Sequence, residues 1–335
     1  CSCPVTAEAL TGALHAMAQQ GNTPFGVYVT SPDYLGGVQE LPALAAVCRA
    51  QGVPLLVDNA HGAYLRFLPQ NCHPIAQGAA MCCDSAHKTL PVVTGGAYLH
   101  LAHDAPVQDE AAVRGALALF GSTSPSYLIL QSLDACNAVL AGDYPRRLVQ
   151  CCAALEGLRR SLNKTAAARQ CPVPLAVAGA QQEPMKLTLD AAALGCTGTA
   201  LADALRRAQL ECEYADPRYV VLMFTPENPP QDYTRLQTVL EQLLAAVPAG
   251  LLRPENRAGE FAALQQQAAQ RCTIRQAVLG AQVRVPVHKA LGRVCAMPTV
   301  SCPPAIPVAV SGEEITPAAI VLMQRYGIEE LSVLR

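Results

Sequence analysis

The chain is short of lysine. Four are present among 24 basic residues, Lys88, Lys164, Lys186 and Lys289, and arginine carries the rest of the positive charge. Charged residues make up 15% and the net charge is −2, so there is no basic footprint for nucleic acid. No apolar run approaches the roughly 18 residues of a transmembrane helix, which excludes a membrane-spanning reading. The start, Cys1-Ser2-Cys3-Pro4, has neither the charged nor the apolar region of a signal peptide. It also lacks methionine, and a helix signal follows at once at Thr6-Ala7-Glu8-Ala9-Leu10, so we expect an N-terminal piece to be missing. There is no internal repeat and no low-complexity segment. Fifteen cysteines include no CxxC pair, and Cys82-Cys83 and Cys151-Cys152 are adjacent. They read as small buried thiols in a reducing cytoplasm. No metal site is expected, because ligand spacing is missing, and His100 and His103 read as loop residues.

What is present is a strand–helix alternation. Helical spacing covers 6–20 and 39–51, with a short strand at 26–30 and a continuous apolar strand, Leu55-Leu56-Val57, ending at Asp58. A short helix is expected at 73–80, then strands at 80–84 and 96–101. This predicts an α/β layer with a mostly parallel sheet, whose ligands bind at the carboxyl ends of strands. Asp58 and Lys88 fall at or just beyond such ends. A long helical stretch follows over 126–162, broken near Gly142-Asp143-Tyr144-Pro145. Strands at 184–189 and 219–224 and helices at 197–208 and 231–246 make a small α+β unit. A last unit holds a helix near 260–269 and the proline-rich Cys302–Pro307. The expected domains are 1–125, 126–255 and 256–335.

A lysine after one strand and an acid ending an earlier one is the minimum that pyridoxal phosphate (PLP) requires. The lysine forms the Schiff base and the carboxylate partners the pyridinium nitrogen. Lys88 and Asp58 are the candidates. Ala60, two residues beyond Asp58, points to the same side in an extended segment and leaves room for the ring. His61 is a candidate for the ring's phenolic oxygen, and Ser85 and His87 for the phosphate. Each has a plainer alternative: a helix N-cap for Asp58, a structural histidine for His61, a turn for Ser85 and a surface amine for Lys88.

Asp58-Asn59-Ala60-His61-Gly62-Ala63 with Ser85-Ala86-His87-Lys88-Thr89-Leu90-Pro91 resembles the ornithine/lysine/arginine decarboxylases of the aspartate aminotransferase fold. So do Thr30-Ser31-Pro32-Asp33-Tyr34-Leu35-Gly36, Ser122-Thr123-Ser124-Pro125-Ser126-Tyr127 with Ser132-Leu133-Asp134, and Cys302-Pro303-Pro304-Ala305-Ile306-Pro307 with Ser311-Gly312-Glu313-Glu314-Ile315. Ala305 and Ser311 depart from the family's glycine and proline. The resemblance implies fold type I: a partial PLP-binding large domain, a small α+β domain and a C-terminal α+β domain. It implies PLP-dependent decarboxylation of arginine, lysine or ornithine, with Lys88 or His87 as proton donor. It also implies a cytoplasmic homodimer or higher homo-oligomer in which Thr123 and Ser124 reach the partner's cofactor phosphate. The family's phosphate loop and ring-stacking histidine lie upstream of Cys1. Glu313 and Glu314 are candidates for the substrate's distal cation. Two alternatives stay open. One is another fold-type-I PLP enzyme, an aminotransferase with Arg218 holding the substrate carboxylate, or a desulfurase. The other is a non-catalytic fragment that only dimerises.

Overall fold

The computed structural model describes residues 4–122, 124–179, 181–248, 268–297, 300–302 and 306–335. Helix α1 (Ala7–Gln19) starts at Thr6, whose hydroxyl accepts from the Ala9 N–H. Strand β1 (Val27–Thr30), helix α2 (Leu41–Ala50), strand β2 (Leu55–Asp58), strand β3 (Met81–Asp84), helix α3 (Ala86–Thr89) and strand β4 (Tyr98–Leu101) follow. The sheet order is β1-β2-β3-β4, with the first three parallel and β4 antiparallel to β3. The mostly parallel sheet expected from the alternating pattern is therefore present.

The two sheet faces differ. Leu10, Leu14, Leu41 and Leu44 of the helices bury Val29, Leu55, Val57 and Cys82 of the strands. Alternation sends Tyr28, Asp58 and Cys83 to the other face. There Tyr28 is 63% exposed, and Leu99 and Leu101 of β4 are partly exposed. Asp58 thus ends its strand on the sheet's open side.

The expected helix at 73–80 is instead a series of turns. Gln77 N–H reaches the His73 and Pro74 carbonyls, Ala79 N–H reaches Pro74, and Gly78 adopts φ +98°. One turn closed by a left-handed glycine cannot repay the cost of helix nucleation.

The second unit begins with α4 (Glu110–Ala118), α5 (Tyr127–Ala141) and α6 (Tyr144–Ala168). The break between α5 and α6 falls at Gly142–Asp143, as the sequence predicts. Strands β5 (Lys186–Asp190), β6 (Tyr214–Ala215) and β7 (Tyr219–Met223) form an antiparallel sheet ordered β5-β7-β6. Leu155, Leu162, Leu187, Leu189, Leu201 and Leu240 fill the core that it shares with α6, α7 (Gly198–Arg207) and α8 (Pro230–Ala245). The same core takes in Tyr64, Leu65 and Leu90, so the first sheet and the second unit are packed through apolar contact. A separate core around Val287, Ile315, Met323, Leu331 and Val333 holds the last unit. That unit comprises α9 (Ile274–Leu279), β8 (Gln282–Pro286), β9 (Val300–Cys302), β10 (Ile306–Ala309), α10 (Pro317–Arg325) and β11 (Glu330–Leu334). The helix predicted near 260–269 lies almost wholly outside the described residues. No helix among the described residues is long and apolar enough to cross a membrane.

Candidate active site

Two strand exits build the site. At the end of β2, the Asp58 carboxylate accepts from the Ala60 N–H at 3.0 Å, a turn that swings the chain off the sheet edge. Asn59 then points inward, fully buried, and its amide donates to Asp84 Oδ1 at 2.7 Å. Gly62 is required where it stands: a Cβ there would sit 2.0 Å from Asn59 Oδ1 and 2.7 Å from Leu65. The turn delivers His61 into the interior, 4% exposed. At the next exit, Asp84 ends β3 and Ser85 opens α3. The Ser85 hydroxyl makes no capping hydrogen bond. This single helical turn carries His87 and Lys88. His87 Nδ1 is 3.0 Å from the Gly96 carbonyl oxygen.

The two exits meet at Lys88 and His61, with Nζ 3.4 Å from Nε2. Lys88 makes no ion pair among the described residues. Burial, then the charges of Lys186 and Lys88, push the His61 imidazole down to about 3, so it is neutral near pH 7. A neutral ring that accepts from Lys88 at Nε2 carries its proton on Nδ1. That Nδ1 is a buried polar atom with no hydrogen-bond partner among the described residues. Tyr34 packs edge-on against the ring, centroids 4.9 Å apart. Asp58 on the open face lies beside Tyr28 and Cys83; burial first, then Asp58, pushes the Tyr28 phenol up to about 12.

Three contributors are not evident from sequence reasoning. Lys186, at the start of β5, is buried and donates to the carbonyls of Asp33 (2.9 Å) and Tyr34 (3.1 Å). Burial pulls its amine down to about 8 despite Glu183, Asp33 and Glu213. It pins the loop after β1 to the second unit. Glu183 accepts a short hydrogen bond from the Tyr64 hydroxyl and another from the Met185 N–H at 2.9 Å. The scarcity of lysine singles out Lys186 as much as Lys88. Its place in an apolar strand, however, gives no hint of a partner some 150 residues away.

The third is Asp84. Its Oδ2 lies 3.0 Å from both His73 Nε2 and His100 Nε2. His100 is therefore a strand residue with a buried partner, not the loop residue expected; it faces Cys82 across the β3–β4 pair. Burial alone would raise the Asp84 carboxyl, but hydrogen bonds from His100, His73 and Asn59 outweigh it and hold it well below the usual carboxylate range.

Other sequence candidates are distributed more widely. Ala60 is half-buried in the turn after Asp58. Ser124 is exposed, its N–H donating to the Ser122 hydroxyl, and no described contact brings it to Lys88. Thr123 lies outside the described residues. Arg218 is held by Asp190 through three contacts of 2.7–3.2 Å, so its guanidinium is already committed to a carboxylate. Glu314 pairs with Arg271 at 2.6 Å and Glu313 accepts from the Val310 N–H, in isolated β-bridges of the last unit. Among the cysteines, Cys48, Cys82, Cys136, Cys151 and Cys295 are buried, whereas Cys72, Cys83 and Cys196 are exposed; all are free thiols.

Solved structures identify the fold. Constitutive lysine decarboxylase of Escherichia coli superposes with a TM-score of 0.69 at 18% identity, over 98% of this chain and 61% of that one. Lysine decarboxylase LdcF of Francisella novicida gives 0.72 at 18% identity, over 98% and 60%. The architecture is that of the fold-type-I α/β enzymes. A NifS-like protein of Rickettsia africae is matched over only 72% of this chain, with a TM-score of 0.54. The family model described as Orn/Lys/Arg decarboxylase, major domain, matches residues 3–231, and the chain belongs to that family. An arginine decarboxylase of Bacillus subtilis is 28% identical over 302 residues, 87% of this chain and 59% of the relative. The uncharacterized protein YaaO of the same organism is 32% identical over 204 residues, 59% of this chain and 41% of the relative. The chain thus spans well under two thirds of the length of these relatives.

Proposed function

We propose that this chain carries the lysine and ring-nitrogen carboxylate of a PLP-dependent decarboxylase acting on arginine, lysine or ornithine. The observation that carries the reading is the convergence of two strand exits. Asp58 lies at the open end of β2, and Lys88 follows the adjacent parallel strand beside a neutral, buried His61. The residues fit the cofactor's polar atoms. Lys88 has an amine with no competing carboxylate among the described residues, and His61 has a buried Nδ1 with no hydrogen-bond partner among them. PLP, when bound, supplies the electron sink for the pair left at the α-carbon as CO2 departs.

The protein's share is positioning and proton control. Lys88 would hold the cofactor's aldehyde through its amine. Asp58 would keep the ring nitrogen protonated. His61 would offer its Nδ1–H to the phenolic oxygen, and Ala60 would leave room beside the ring. Ser85 and His87 would serve the phosphate. Lys88 or His87 returns a proton to the α-carbon.

We further assign the PLP-binding remainder to 1–125, the small domain to 126–255 and the C-terminal domain to 256–335, in a cytoplasmic homodimer or higher homo-oligomer. Large apolar side chains flank Ser124 on both sides and are exposed: Leu119 at 79%, Phe120 at 93%, Tyr127 at 83% and Leu128 at 72%. A patch of this kind fits a partner subunit, and Ser124 would then lie near the partner's cofactor phosphate, with Thr123 the other candidate for that contact. The commitment of Arg218 to Asp190 counts against the aminotransferase alternative.

The test is stoichiometry. With PLP and carboxyl-labelled arginine, lysine or ornithine, one of the three releases CO2 and an equal amount of amine, with no keto acid, and Lys88→Ala abolishes the release. Keto acid formation, or CO2 release unchanged in Lys88→Ala, contradicts the proposal.

A further inference from the structure

Behind the candidate active site, three chain segments bring metal-ligand atoms together. His73 comes from the turns before β3, Asp84 from the end of β3 and His100 from β4. Their ligand atoms all lie within 4.8 Å of one another, and both imidazole Nε2 atoms stand 3.0 Å from the same carboxylate oxygen. His73 and Asp84 are 4% and 3% exposed, so the convergence is built into the interior rather than laid on a mobile surface. The two imidazole rings meet edge to face, centroids 5.0 Å apart. The other carboxylate oxygen is held by Asn59, so the ligand oxygen is oriented before any ion arrives. Cys82 Sγ lies 3.7 Å from His73 Nε2 at the edge of the cluster and is not one of its donors. On the remaining side is a cavity of about 420 Å³, lined among others by Asn71, Asn137 and Tyr98, with room for a water ligand.

We propose that His73, Asp84 and His100 form a site for a divalent first-row transition ion, zinc being the natural occupant for a two-imidazole, one-carboxylate set. Tetrahedral zinc with bonds of about 2.0–2.1 Å separates its ligand atoms by roughly 3.3 Å. The observed 3.0 Å contacts need only small ring and carboxylate rotations to open to that spacing. The site does not touch the reacting atoms. Through Asn59 it is one hydrogen bond from the turn that carries Asp58 and His61, so the ion would tie the loop before β3, the β3–β4 pair and that turn into one unit. The ligand spacing explains why the sequence conceals it: there is no short repeat of histidines or cysteines, only three residues from separate elements.

The test uses the reduced, chelator-stripped protein titrated with Co2+ and Zn2+. The many thiols require a readout that separates nitrogen–oxygen ligation from thiolate capture, and the visible and near-ultraviolet Co2+ spectra do so. The expected result is one tight equivalent with visible tetrahedral bands and a raised melting temperature, both lost in His73→Ala and in His100→Ala and retained in Cys82→Ser. Asn59→Ala should weaken binding roughly 10–100-fold. His100 is partly exposed, so its variant decides the matter if His73→Ala fails to fold. No binding overturns the proposal. So does binding that persists in both histidine variants with thiolate charge-transfer bands.

Discussion

Lys88 and His61 meet because two turns, in separate strand–helix connections, point the same way. His61 is the more constrained partner. Its folded value near 3 lies below the unfolded value of about 6.5. Between these limits the unfolded chain binds the extra proton, so stability is fully present above about pH 6.5 and falls as the pH drops. The slope from this one group is about 1.4 kcal/mol per pH unit. His61→Gln should remove that slope while keeping a hydrogen-bonding side chain, as read by urea unfolding across about pH 4–7. An unchanged slope in the variant would mean that His61 is not the neutral, buried group described. Of the individual residues, Lys88, Lys186 and Asp58 stand out in the sequence through scarcity or position. The roles of Lys186 and Asp84 do not, because their partners are supplied only by tertiary contact: Lys186 by carbonyls of the β1 loop, Asp84 by histidines on either side of β3.

Among elements, the short strands and long helices follow from local pattern. The β-branched and aliphatic runs at 27–30 and 55–58 and the apolar stripes of α6 and α8 have little competing structure. The segment 73–80 fails as a helix because Pro74 and Gly78 leave too few residues between them to nucleate one. The strand at 96–101 is legible in the sequence, but its antiparallel sense is not encoded locally; Gly95, with φ +100°, turns the chain back before it. The turn between β2 and the 3₁₀ segment Ala63–Phe67 is the most sensitive element of the site. A methyl group on Gly62 would overlap Asn59 and Leu65. Gly62→Ala should therefore cost about 1–3 kcal/mol of stability. It should also displace His61, which a denaturant titration and the His61 imidazole NMR shift would report. A variant as stable as the parent, with an unmoved His61 signal, would contradict the close packing of that turn.

At the scale of the whole molecule, the sequence motifs extend from the β1 loop to the last unit, and the fold agrees with lysine decarboxylases over 98% of the chain. The chain spans about 60% of those proteins. One face of the first sheet and the segment around Ser124 expose apolar side chains. If the latter is a subunit interface, Phe120→Ser with Leu128→Ser should lower the oligomer's mass by half in light scattering without altering far-ultraviolet circular dichroism; an unchanged mass would exclude that surface. The central claim concerns which amine carries the cofactor. Two candidates sit near each other: Lys88, and Lys186 with an amine drawn down to about 8 by burial. Borohydride reduction of the protein with PLP, followed by peptide mass mapping, separates them. The account predicts a single reduced pyridoxyl adduct on Lys88. An adduct on Lys186, or none on the folded protein, would contradict it.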